Sequence, residues 1–99
     1  MSMQALAMLS SGLVAQAAAA GRAADNIANV NTPGFAARAG QPVSQVSGGV
    51  RDVPQAPSGP VDLATQVAGL HMAGTAYGVA AKAFAAVARM DRAAIDLIA

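Results

Sequence analysis

The chain lacks cysteine and tryptophan altogether, and its 99 residues include only three aromatics, Phe35, Tyr77 and Phe84. Without cysteine there is neither a disulfide framework nor a thiolate metal site, a composition that suits a reducing or an oxidising compartment equally. Charge of either sign is scarce. The six basic residues (Arg22, Arg38, Arg51, Lys82, Arg89, Arg92) are scattered and nearly balanced by five aspartates, so no basic stripe exists to track a phosphate backbone, and nucleic acid is not an expected partner. The shortage of bulky side chains matters most. Hydrophobic residues make up 55% of the sequence, but alanine is the commonest, so each buries little area, and close backbone approach or oligomerisation must supply the difference.

No charge occurs between Met1 and Gly21, a run long enough for a secretory signal or a membrane span. Neither reading fits well. The start "MSMQ" has no basic n-region, and Gln4, Ser10, Ser11, Gly12, Gln16 and several alanines dilute the apolar content a span requires. Neither a cleaved signal nor direct membrane insertion is therefore expected.

Three segments follow from patterning. Over residues 3–30, Leu6, Leu9, Leu13, Ile27 and Val30 recur at helical spacing with alanines between them, which predicts a long helix. Its end is marked by "NVNTPGF": Thr32 is pushed out of the α region by the proline that follows, Pro33 lacks a donor, and Gly34 accepts the positive φ of a type II turn. Residues 36–59, rich in Gly, Pro and Ser, show no sustained period and read as an extended, irregular linker. Residues 60–98 place Leu63, Val67, Leu70, Gly74, Tyr77, Ala81, Phe84, Ala88, Asp91, Ile95 and Ile98 at alternating steps of four and three, a heptad seam. Gly59 or Ser58 is the expected cap and Pro60 the first helical residue, with Asp62 in the first turn. The predicted fold class is all-α, one domain: two long helices (1–35 with its turn, 60–99) in a coiled-coil hairpin joined by the linker 36–59, assembling into helical oligomers.

Two motifs add a resemblance. "AADNIANVNTPGF" resembles the N-terminal signature of bacterial flagellar axial proteins, and "PVDLATQVAGLHMAGTAYGVAAKAF" resembles the same family's C-terminal helix. The chain is most similar to a minimal rod protein of the basal body. The resemblance implies that both helices build the inner wall of a hollow axial tube. It also implies contacts with itself and other axial proteins, and unfolded export through the flagellar type III apparatus without a cleaved signal. It makes Asn26, Asn29, Asn31, Thr32, Pro33, Gly34 and Phe35 an assembly motif; the two seams themselves make Leu6, Leu9, Leu13, Ile27, Leu63, Leu70, Tyr77 and Phe84 the expected helix–helix interface. The short middle segment leaves a second reading, a small oligomeric adaptor or assembly factor with the same helical ends. A third is a peripheral membrane peptide, which the lack of a cationic face disfavours.

No catalytic constellation is expected, nor a cofactor. His71 has no second ligand near it on its helix, Ser10, Ser11 and Ser58 lack a nucleophile elbow, and Gly40, Gly48, Gly49 and Gly59 lack the Gly-Lys-Ser/Thr of a phosphate loop. The five methionines read as adaptable packing. Asp91 falls on the apolar seam, either beside water at a frayed end or as a register-setting partner for an arginine of another chain.

Overall fold

The computed structural model describes residues 2–98. Helix α1 (Ser2–Ala28) is followed by strands β1 (Ala37–Ser44) and β2 (Val50–Ser58) and by helix α2 (Leu63–Ile98). The two strands pair antiparallel. The all-α expectation is thereby corrected: residues 36–59 are not an irregular linker but a β-hairpin. Glycine and proline mislead here because a two-stranded ribbon has two free edges, where a proline's missing N–H faces away from the ladder at no cost. Pro42 pairs with Asp52 and Pro54 with Gly40 in this way. Gly48 and Gly49, at φ of 100° and 83°, close the loop, held by Gln45 N–H to Gly49 C=O and Gly48 N–H to Gln45 C=O, each 3.0 Å.

At the other end of α1, Thr32 C=O accepts from Phe35 N–H at 3.2 Å, with Pro33 preset in φ and Gly34 at φ 77°. This is the turn that redirects the chain into β1. The cap of α2 differs from expectation. Asp62, not Ser58 or Gly59, is the N-cap: its C=O accepts from Gln66 N–H at 3.0 Å and its carboxylate accepts from Thr65 Oγ1 at 2.7 Å. Pro60 lies before the helix rather than in its first turn. A carboxylate at the cap satisfies the first turn better than a glycine can.

The hairpin packs on α1, and α1 packs along α2; among the described residues the hairpin does not pack on α2. Helix α1 is thus the middle of three elements lying side by side, and the Cα envelope measures 62 × 25 × 14 Å. A slab so thin leaves both broad faces open. The buried apolar residues are accordingly all alanines, Ala15, Ala23, Ala37 and Ala73.

The covered face of α2 is centred on Gly69, Ala73, Ala76, Ala80, Ala83 and Val87. It stands one residue from the heptad of larger side chains, about 100° around the helix. Small residues let the axes approach, and the bulkier stripe is turned aside. Because α2 has 36 residues against 27 for α1, it is longer by about 14 Å, and residues 92–98 are exposed throughout. By length and composition Met3–Ala28 is apolar enough to cross a membrane. In this fold its polar residues Ser11, Arg22 and Asn26 are committed to the hairpin.

Candidate assembly surfaces

Asn26 is the most buried polar residue, 1% exposed. Its Nδ2 donates to Arg38 C=O and to Gln66 Oε1, both at 3.0 Å, and its Oδ1 accepts from Arg38 N–H at 2.8 Å. The carboxamide pairs with Arg38 as a neighbouring strand would, satisfying the backbone groups that face away from β2, and it reaches α2 with its remaining hydrogen. Both donor hydrogens and the acceptor are used, which is what makes its burial tolerable. The ladder is irregular at this point, between Ala37 and Ala39, so Asn26 serves the residue that the β2 register skips.

Three further polar contacts fasten the hairpin to α1. Val50 N–H donates to Ser11 Oγ at 3.1 Å, and that hydroxyl donates to Met8 C=O at 2.6 Å. The Arg22 guanidinium pairs with Asp52, both side chains mostly covered. Arg38 Nε pairs with Asp25 at 2.9 Å in a more exposed setting. Gly40 lies under the Arg22 guanidinium, where a Cβ would stand 2.6 Å from Cζ. Only a residue without a side chain permits that approach.

The other asparagines act more locally. Asn29 Nδ2 donates to Asp25 C=O at 2.9 Å, a carbonyl that also accepts from Asn29 N–H at 3.1 Å, and its Oδ1 accepts from Thr32 Oγ1 at 3.1 Å. Asn31, Thr32, Pro33 and Gly34 are exposed, and Phe35 is half-buried. Leu6, Leu9, Leu13, Ile27, Leu70 and Phe84 are half-buried, whereas Leu63 and Tyr77 remain 46% and 44% exposed. Val67, on the same stripe, is 51% exposed. Sequence reasoning missed Ser11, Arg22, Arg38, Asp52 and Gln66, whose partners are distant in the chain and carry no local signature. Among the described residues no group of three His, Cys, Asp or Glu side chains could hold a metal ion, and His71 is exposed.

The chain is helix-dominated, with an Asn-rich turn and an apolar stripe on α2 left open. Residues 5–35, a segment that includes Asn26, Asn29 and Asn31, match the family described as flagella basal body rod protein. The resemblance drawn from "AADNIANVNTPGF" is borne out over that segment. The match supports a component of the flagellar basal body rod. No curated protein matches the chain.

Proposed function

We propose that the chain is a structural subunit of the flagellar rod that self-assembles through the faces its fold leaves open, beside other axial proteins. The observation that carries this reading is the division of labour on α2. The covered face of α2 is mostly alanine and glycine, while Leu63, Val67 and Tyr77 stay about half exposed. An apolar stripe turned away from the chain's own partner helix is available to another chain. The accessible surface, 6696 Å², supports the same reading. A compact protein of 9.7 kDa would expose about 5,100 Å², and the excess is of the order of one stable interface.

Asn31, Thr32, Pro33 and Gly34, at the exposed turn, are proposed to contact a neighbouring subunit, whereas Asn26 acts within the chain. The rod-family N-terminal segment also supports export by the flagellar type III apparatus without cleavage. Mass spectrometry of detergent-washed hook–basal-body particles, with the soluble fraction beside them, tests both points. Stoichiometric recovery in the particles with an uncleaved N-terminal peptide is expected. Recovery in the soluble fraction alone would overturn the rod assignment, and a processed N-terminus would overturn the export route.

A further inference from the structure

An open cavity of about 460 Å³ lies between α1 and the hairpin, bounded by Ala18, Arg22, Arg38, Ala39, Pro54 and Pro57. Its walls are alanine and proline with two guanidinium groups and the Gln55 carboxamide, and no carboxylate lines it. Asp52 engages Arg22 through Nη1 and Asp25 engages Arg38 through Nε. A guanidinium has five N–H donors, so each can accept a further anionic partner.

The end of α2 has the complementary chemistry. Its residues 92–98 are exposed, with Leu97 and Ile98 both 88% so. The last turn holds no basic residue, and Arg92 stands one turn before Asp96. Asp96 adds a full charge and is in no ion pair among the described residues. This end cannot reach the cavity of its own chain. Asn26 of α1 meets Gln66 near the start of α2, so the far end of α2 lies beyond the start of α1, roughly 40 Å from Ala18 and Arg22 at the usual helical rise.

We propose that the last turns of α2 from one copy seat in the α1–hairpin cavity of a second copy, Leu97 against the alanine and proline walls and Asp96 facing Arg38. The inference deepens the assembly reading above and rests on it. Both halves of the contact stand on one chain, toward opposite ends of a body 62 Å long. A head-to-tail contact of this kind joins copies into a ring or a helical filament according to the rotation between them, and with both halves on one chain the occupant is another copy of this chain.

The absence of native cysteine permits a direct test with the purified full chain. Gln55→Cys, on the cavity rim, and Leu97→Cys are placed in separate chains, mixed and oxidised; a cross-linked heterodimer is expected. Met72→Cys, also well exposed at 69% but mid-helix, should not cross-link to Gln55→Cys. In sedimentation equilibrium, Arg38→Glu and Asp96→Arg should each weaken self-association about tenfold, as loss of a close charge pair does, and the double variant should recover most of it. Circular dichroism confirms that each variant is folded. Equal cross-linking from Met72→Cys, a monomeric chain at all concentrations, or charge variants that associate normally would overturn the contact. Recovery from basal-body particles without the Gln55–Leu97 cross-link would sink this contact and leave the rod reading standing. The reverse pattern would sink the rod reading and leave the contact.

Discussion

The Nδ2 group of Asn26 bridges α1 to Gln66 of α2 at 3.0 Å while pairing with the backbone of Arg38 in β1. One side chain therefore joins three elements in a molecule whose buried apolar residues, among those described, are four alanines. Asn26→Leu should destabilise the chain by about 2–4 kcal/mol, because Arg38 N–H, Arg38 C=O and Gln66 Oε1 lose their partner together. Asn26→Asp should cost nearly as much: it keeps the acceptor but faces two oxygens with a third. Urea denaturation monitored by circular dichroism measures both. A loss under about 0.5 kcal/mol, typical of an uninvolved surface site, would show that the bridge contributes nothing.

Gly40 permits the Arg22 guanidinium to lie against the strand on its way to Asp52. Gly40→Val should displace that side chain and break the ion pair, at a cost of about 1–3 kcal/mol for overpacking a filled site. A mostly covered pair loses more on disruption than an exposed one, so Arg38→Ala, which breaks only the exposed Asp25 pair, should cost under about 1 kcal/mol. Thermal melts of the two variants rank them. Equal melting temperatures would mean that the Arg22 contact has no special weight.

The helices and the turn between residues 32 and 35 were legible because their signals are local. Apolar residues three and four apart predict a helix wherever they occur, and Thr-Pro-Gly can hardly do anything but turn. The hairpin was not legible. Strands announce themselves through alternating burial, but most of β1 and β2 is exposed on both sides, and what holds them is Ser11, Arg22 and Asn26, as much as 39 residues away. A Gly-Gly pair flanked by Val46 and Val50 was the one local hint. Asn26 stood out in the sequence, but as part of a subunit contact; that its partners are Arg38 and Gln66 of the same chain is a property of the folded hairpin. The heptad of α2 was legible as a stripe, though not which neighbour the stripe faces. Alanine on the adjacent face packs closer, and intramolecular packing takes that face instead.

That choice separates folding from assembly. Tyr77→Asp and Leu63→Asp fall on the open stripe, so each should shift the isolated chain's stability by no more than about 0.5 kcal/mol. Assembly into rod should nevertheless fail, because a carboxylate would be desolvated against a neighbouring apolar surface. Motility and particle composition in cells carrying either variant, with melting curves of the purified chains, provide the readouts. Intact rods containing Tyr77→Asp would refute the assignment of this stripe to assembly.

Gly74 tests the same division from the opposite side. It lies in the interior of α2, and a Cβ placed there would meet nothing within 4 Å in the isolated chain. Gly74→Ala should therefore stabilise that chain by about 0.5–1 kcal/mol, since glycine loses the most conformational freedom in a helix. For a domain of this size the gain corresponds to a rise in melting temperature of several degrees. If the open stripe is where neighbouring copies approach, the added methyl takes up space that close helix contact requires, and the more stable chain should assemble less well. Stability measured on the monomer and self-association measured by sedimentation would then move in opposite directions. Both rising together would mean that Gly74 faces solvent in the assembly, and that subunits meet elsewhere on the slab.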